Sequence, residues 1–88
     1  MTWICEISQE AERQLQRLPQ PMQDQILRAI DAMQENPFQG DVKSLKEKQW
    51  KGQYRKHVGR YRIIFILDHD GHRVQISAIL LRSKKTYR

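Results

Sequence analysis

The sequence predicts an α+β domain in which two helices pack on a small, mostly antiparallel four-stranded sheet, in the order β-α-α-β-β-β. Three observations support this fold class. The chain begins with a strand-like alternating pattern, and two amphipathic helical patterns follow. Strand-like segments in which apolar and basic residues alternate fill most of the second half. With 88 residues, of which 39% are hydrophobic and 30% charged, the chain forms one domain, residues 1–88, with a thin core.

The first strand is predicted at residues 3–7. In this segment Trp3, Cys5 and Ile7 share one face, as expected for a half-buried strand. Because Cys5 is the only cysteine, it cannot form an intramolecular disulfide. We therefore expect a buried thiol in a protein of the reducing cytoplasm.

Two helices are predicted to follow this strand. Ser8 is a suitable N-cap for the first helix, which we expect to stop near Leu18, before Pro19. Pro21 suits the first turn of the second helix, which should end where Asn36 precedes another proline. The second helix carries an apolar stripe formed by Met22, Ile26, Ala29, Ile30 and Met33.

The second half of the chain predicts a three-strand meander. Residues 36–42 are expected to be irregular, and two strand-like segments then lie on either side of Gly59 and Arg60. A turn at residues 68–71 leads to the last strand. In that strand we expect Val74, Ile76, Ala78 and Leu80 to alternate with Arg73, Gln75, Ser77 and Ile79.

Charge is distributed unevenly along the chain. Residues 1–42 hold three Arg and seven acids, a net −4, whereas residues 43–88 hold thirteen Lys and Arg and three acids, a net +10. A basic half of this kind attracts polyanions, so nucleic acid is the favoured partner. The sequence contains neither the Cys and His spacing of a zinc site nor a long apolar run, so we expect no metal, no cofactor and no membrane.

The predicted hairpin around Gly59 brings basic residues onto one face of the sheet. A two-residue loop that begins with glycine suits a type II′ turn, which pairs His57 with Arg62. Arg55 then lies on the same face, because residues two apart on a strand share a face. Lys56 falls on the opposite, apolar face and must extend to an edge.

An imidazole beside two guanidinium groups matches what RNA cleavage by the ribose 2′-hydroxyl requires without metal. Such cleavage needs a base for the 2′-OH proton and cations for the scissile phosphate. Neighbouring Arg charges should keep His57 neutral, as a base must be, and Arg62 suits bidentate phosphate binding. The pattern by itself leaves three readings open: catalysis, phosphate binding without chemistry, and a solvated sheet face.

Two segments, residues 36–46 and 54–65, resemble the RelE/ParE superfamily of bacterial toxins. The resemblance implies a compact α+β fold and a cognate antitoxin that neutralises the toxin, with operator DNA bound only through the antitoxin complex. In the RelE branch it implies mRNA cleavage in the A site of the 70S ribosome, without metal or cofactor.

The resemblance also implies roles for individual residues. Arg62 matches the arginine that contacts the scissile phosphate, and Arg55 and His57 match two basic positions of the preceding strand, with His57 as the base. Arg82 and Tyr87 resemble a C-terminal arginine and tyrosine that support the transition state and stack on a base or act as acid. The positions expected to contact RNA are Lys43, Lys46, Lys51, Lys56 and Arg60.

Together these features favour a toxin that cleaves mRNA as a metal-independent endoribonuclease. The main alternative is a ParE-type inhibitor of DNA gyrase, which shares the fold but has no need of a histidine opposite an arginine. A third reading is a non-catalytic module that binds RNA or DNA. It draws support from Leu81, which stands where a histidine often precedes the C-terminal arginine.

Overall fold

Two helices pack against one face of a five-stranded sheet in the computed structural model of the chain, which describes residues 2–46 and 52–82. The strand order is β1-β5-β4-β3-β2, with β1 parallel to β5 and all other neighbours antiparallel. The elements are β1 (Ile4–Ile7), α1 (Gln9–Gln16), α2 (Gln20–Glu35), β2 (Val42–Ser44), β3 (Tyr54–Val58), β4 (Tyr61–Asp68) and β5 (Arg73–Leu81).

The predicted α+β class and the predicted element order are confirmed, with one strand added. Strand β2 lies in a segment where the sequence indicated no regular structure. It has three residues, which is too short for an alternating pattern to be visible. Its pairing with β3, from Val42 opposite Lys56 to Ser44 opposite Tyr54, places it at the edge of the sheet.

The helices begin and end close to the residues that the sequence indicated. The Ser8 hydroxyl accepts a hydrogen bond of 3.0 Å from the backbone N–H of Ala11, as an N-cap should. Pro21 lies in the first turn of α2, and Asn36 caps its C-terminal end. In the described part of the chain, neither helix is long and apolar enough to span a membrane.

The core lies between the helices and the sheet. Its largest side chain is Phe65 of β4, which is fully buried and stacks with Tyr54 of β3 at 5.6 Å between ring centroids. The apolar stripe of α2 supplies one side of the core. The buried cluster comprises Ala11, Leu15, Ile26, Ile30, Met33, Ile63, Phe65, Val74, Ile76 and Ile79.

Strands β3 and β4 form the hairpin expected from the glycine turn. Val58 pairs with Tyr61 and His57 pairs with Arg62, so the predicted register is confirmed. Gly59 has a φ of +58°, while Arg60 does not have a positive φ. A positive φ at the first central residue alone is the requirement of a type II′ turn.

A bulge interrupts the alternation predicted for β5. The register between β4 and β5 shifts at Ile64 and Phe65, which pair with Ala78 and Ile76 and leave Ser77 as an extra residue. The extra residue reverses the alternation beyond it. The predicted alternation was therefore wrong beyond Ile76: Ala78 and Leu80 share the face of Ile64 and Arg62, while Ile79 enters the core.

Candidate active site

The structure brings the three predicted basic residues together on the sheet face opposite the helices, which we call the open face. Arg55 and His57 alternate along β3 with residues that pack on the core, and Arg62 lies across from His57 on β4. The two β3 side chains are largely enclosed, with 13% of Arg55 and 18% of His57 exposed. The predicted juxtaposition of an imidazole and two guanidinium groups is therefore present.

Arg82 reaches this group from the end of β5. Its backbone N–H donates to the carbonyl of Arg60 at 2.7 Å, and its Nη1 donates to the carbonyl of Gly59 at 3.2 Å. These two hydrogen bonds hold Arg82 against the β3–β4 turn. Its positive charge is close enough to lower the pKa of His57.

Asp41 also belongs to this site, although no pattern in the sequence indicated it. Its Oδ1 accepts a hydrogen bond from Arg55 Nη1 at 2.9 Å, and its Oδ2 lies 3.2 Å from His57 Nδ1. The backbone N–H of His57 donates to the Asp41 carbonyl at 3.1 Å. The one available signal was the position of Asp41 next to a segment that pairs with β3, and that pairing was not predicted.

The electrostatic surroundings keep His57 biased toward its neutral form. Burial is the largest cause that lowers the pKa of His57, and the positive charges of Arg55 and Arg82 lower it further. Asp41 opposes this shift through its charge and its hydrogen bond. The hydrogen bond from Arg55 in turn lowers the pKa of Asp41, so this carboxyl group is ionised at neutral pH.

The floor of the open face beside these residues is apolar. Ile64 is completely buried although it lies on the open face, and it pairs with Arg55 on one side and Ala78 on the other. Leu80 pairs with Arg62 in the next row. Apolar neighbours strengthen electrostatic interactions, because they replace water with a medium of low dielectric constant.

Arg62 carries a polar atom that the described residues leave unsatisfied. Its Nε is buried and has no hydrogen-bond partner among them. A buried N–H without a partner is costly, so such groups are often found where a ligand binds. An anion placed against this guanidinium would provide the missing acceptor.

The five residues predicted to contact RNA fall into three sets: exposed, buried, and outside the described residues. Lys43, Lys46 and Arg60 are exposed. Lys43 pairs with Arg55 in the β2–β3 ladder and so shares the open face. Two other predicted site residues, Lys51 and Tyr87, lie outside the described residues.

Lys56 differs from the other predicted contacts because it lies on the helix-facing side of the sheet. Only 7% of this residue is exposed, and its Nζ donates a hydrogen bond of 2.8 Å to the carbonyl of Gln39. Burial lowers the pKa of the Lys56 ammonium. Lys56 therefore lies on the face opposite Arg55 and His57, as the register predicted, and its contact with RNA stays a prediction.

The described residues do not bring together three or more His, Cys, Asp or Glu side chains in a group that could hold a metal ion. The chemistry available beside His57 is instead that of one imidazole, one carboxylate and several guanidinium groups. These groups can accept a proton, orient the acceptor and bind an anion.

Residues 5–86 match the family described as the ParE toxin of the type II toxin–antitoxin system parDE. The chain belongs to the ParE toxin family. This membership confirms the predicted RelE/ParE superfamily and identifies the chain as a toxin of a type II toxin–antitoxin system.

Solved structures of toxins from the superfamily share the fold of this ParE-family chain. The RelBE2 toxin–antitoxin complex of Mycobacterium tuberculosis matches with a TM-score of 0.84 at 19% identity, covering 93% of this chain and 100% of that one. The archaeal RelE–RelB complex from Pyrococcus horikoshii OT3 gives 0.80 at 24% identity, with 96% and 99% covered. The isolated Escherichia coli RelE toxin gives 0.73 at 12% identity, with 96% and 88% covered. A search of curated proteins found no match.

Proposed function

We propose that this toxin is a metal-independent endoribonuclease that cleaves mRNA on the translating ribosome by attack of a ribose 2′-hydroxyl. The observation that carries the proposal is the pairing of His57 with Arg62 on an enclosed, cationic face of the sheet. A base and an anion-binding group at adjacent positions are the minimum that this reaction needs.

In the proposed reaction His57 acts as the general base. Nε2 takes the proton of the 2′-OH, the 2′-oxygen forms a bond to phosphorus, and the bond from phosphorus to the 5′-oxygen breaks. The departing 5′-oxygen takes a proton from an acid, for which Tyr87 is our candidate. The products are a 2′,3′-cyclic phosphate, or the 3′-phosphate formed from it by water, and a free 5′-hydroxyl.

Arg62 binds the scissile phosphate in this mechanism. Its guanidinium can donate two parallel hydrogen bonds to phosphate oxygens, and the apolar floor around Ile64 and Leu80 strengthens that interaction. Arg82, held against the turn at Gly59, supports the charge that develops on the phosphate. Tyr87 is also our candidate for stacking on a base of the bound RNA.

The surrounding cations give affinity for the RNA backbone. Lys43 lies on the open face, Lys46 and Arg60 are also exposed, and Lys51 is a further basic residue of the same half of the chain. Contacts of this kind to phosphates displace counterions and depend on salt concentration. They would bind mRNA or ribosomal RNA without reading its sequence.

We further propose that a cognate antitoxin neutralises the protein by covering its basic half. Structurally similar toxins have been solved with antitoxins, including RelE with RelB from Pyrococcus horikoshii OT3 and YoeB with YefM from Staphylococcus aureus. A partner that covers a half with a net charge of +10 would block access of RNA. Operator DNA would be contacted only through that complex, and the toxin would act in the cytoplasm, where translating ribosomes are found.

Inhibition of DNA gyrase is a second candidate function, because the matching family is described by the ParE toxin. The arrangement of groups on the open face favours RNA cleavage instead. A gyrase inhibitor has no evident use for an enclosed imidazole that is held by a carboxylate and paired with a guanidinium.

The test is controlled expression of the wild type and of the His57→Ala and Arg62→Ala variants in growing cells, with mapping of mRNA 5′ ends. We expect new ends inside coding regions for the wild type and none for the variants. Growth arrest with intact mRNA, and inhibition of purified gyrase by the wild type, would move the assignment to the gyrase inhibitor.

A further inference from the structure

We infer that Asp41 is the positioning residue of the His57 base: its carboxylate bridges Arg55 and His57 and thereby selects the imidazole nitrogen that accepts the substrate proton. This inference rests on the proposed nuclease function. It assigns a role to a residue that makes none of the proposed contacts with RNA.

The position of Asp41 is set by several bonds to β3. Its carbonyl accepts from the His57 backbone N–H at 3.1 Å and from Arg55 Nη1 at 3.0 Å. Its carboxylate contacts both side chains: Oδ1 accepts from Arg55 Nη1 at 2.9 Å, and Oδ2 lies 3.2 Å from His57 Nδ1. Backbone and side chain together hold the carboxylate in one orientation relative to the ring.

This orientation determines the tautomer of neutral His57. An ionised carboxylate only accepts hydrogen bonds, so Nδ1 must carry a proton to bind Oδ2 of Asp41. The lone pair of the neutral ring is then on Nε2. A histidine whose Nδ1–H is held by a carboxylate is the arrangement that orients a general base in other hydrolytic sites.

Asp41 also supplies the negative charge that this cluster requires. Apart from Asp41, the charged groups beside His57 are Arg62, which pairs with it, and Arg55 and Arg82, whose charges lower its pKa. All three are positive, and so is Lys43 on the same sheet face. When His57 takes a proton during the reaction, these charges oppose the new imidazolium. The Asp41 carboxylate compensates for part of that opposition.

The bridge changes the role expected for Arg55. Its Nη1 already donates to both the carbonyl and the carboxylate of Asp41. Arg55 therefore anchors Asp41, and Arg62 remains the main group for the phosphate. Because Arg55 can only donate hydrogen bonds, it would bind the oxygen and not the NH₂ group of an amide at position 41.

The Asp41→Asn variant is the sharpest test of this arrangement. Arg55 will hold the amide oxygen, so the amide NH₂ will face His57 Nδ1 and donate to it. Neutral His57 must then carry its proton on Nε2, where the substrate proton would have to go. Removing the charge also lowers the pKa of His57 further, because Asp41 raises it in the wild type.

The measurements are the ¹⁵N NMR shifts of the His57 ring and the cleavage rate as a function of pH, for the wild type, Asp41→Asn and a control. Glu35→Gln is the matched control, since it also removes one exposed carboxylate, from the end of α2. We expect the Nδ1–H form in the wild type and in the control, and the Nε2–H form in Asp41→Asn. We expect Asp41→Asn to cleave at least about 10-fold more slowly, and by no more than the factor of about 10² to 10⁴ that complete loss of a general base would cost.

Two results would overturn the inference: an Nε2–H ring in the wild type, or an Asp41→Asn variant that cleaves as fast as Glu35→Gln. A merely structural role of Asp41 would slow cleavage without inverting the tautomer. If the wild type leaves RNA intact, the proposed nuclease function fails, and with it the role of Asp41 in catalysis. The NMR shifts still decide in that case whether Asp41 selects the tautomer.

Discussion

His57 on β3 lies directly opposite Arg62 on β4, on the sheet face away from the helices. The pairing follows from the turn at Gly59, which has the positive φ that a two-residue loop requires at its first position. A local feature of the backbone thus places a base next to an anion-binding group.

Replacement of Arg62 should abolish most of the RNA cleavage without unfolding the protein. We expect Arg62→Ala to lower the rate by about 10² to 10³-fold, as for the loss of one charge-stabilising donor. Arg62→Lys should recover only part of the rate, since an ammonium cannot bind phosphate in the same bidentate manner. Single-turnover rates measure the effect, and Arg73→Ala, at the other end of the open face, is the control. Equal rates for Arg62→Ala and Arg73→Ala would contradict the role of Arg62.

The titration of His57 should occur below the ordinary imidazole value of about 6.5. Burial and the charges of Arg55 and Arg82 lower its pKa, so a base at this position keeps its activity to a lower pH than an ordinary imidazole and loses it below its own pKa. An NMR titration of the ring gives the pKa directly. Arg82→Ala should move it upward, because the variant removes a positive neighbour. A midpoint at or above 6.5 in the wild type would show that the surroundings do not favour the neutral base.

The exposed cations should contribute salt-dependent affinity. We expect Lys43→Ala or Lys46→Ala to reduce the slope of log K against log salt concentration by about one, without changing sequence preference. Binding of a labelled RNA at several salt concentrations measures the slope. Arg28→Ala, which removes an exposed cation of α2, is the matched control and should leave the slope unchanged. Similar slopes for all these variants and the wild type would contradict an RNA surface around the open face.

The hairpin turn should tolerate substitution at its second residue better than at its first. Gly59 has a φ of +58°, and an added Cβ would lie 3.3 Å from Nε2 of Gln25. We expect Gly59→Ala to lower the free energy of unfolding by about 1–2 kcal/mol, and Arg60→Ala to change it by less than about 0.5 kcal/mol. Urea denaturation measures both, and equal stabilities would show that the turn does not need a glycine.

Lys56 should act as a packing residue and not as an RNA contact. Because its stem is buried and its ammonium is held by Gln39, we expect Lys56→Met to leave the stability within about 1 kcal/mol of the wild type, as for other buried charges replaced by apolar groups. Lys56→Ala, which removes the stem, should cost about 1–3 kcal/mol. RNA affinity at constant salt should be unchanged in Lys56→Met. A loss of RNA affinity in Lys56→Met as large as that in Lys43→Ala would show that Lys56 contacts RNA.

The sequence was sufficient for the features that depend on local rules. The turn glycine set the register of β3 and β4, and the register placed Arg55, His57 and Arg62 on one face. Helix ends followed from Ser8 and the prolines, which act within one turn. The superfamily followed from the same segments and is confirmed by the family match.

Features that depend on contacts between distant segments were missed. Asp41 joins the site only because β2 pairs with β3, and a three-residue edge strand leaves no periodic pattern. The reversal at Ala78 depends on a bulge opposite Ile64 and Phe65, which an unbroken alternation of apolar residues conceals. The burial of Ile64 on the open face was also missed, because the residues that cover it come from two other strands, β3 and β5.

The most direct test of the whole account is the chemistry of the RNA ends produced by the purified toxin on ribosomes carrying a defined mRNA. Attack by the 2′-hydroxyl predicts a 2′,3′-cyclic phosphate or 3′-phosphate on the upstream fragment and a 5′-hydroxyl on the downstream fragment, with neither formed by His57→Ala. Fragments that end in a 3′-hydroxyl, or an mRNA that stays intact while the toxin arrests growth, would contradict it.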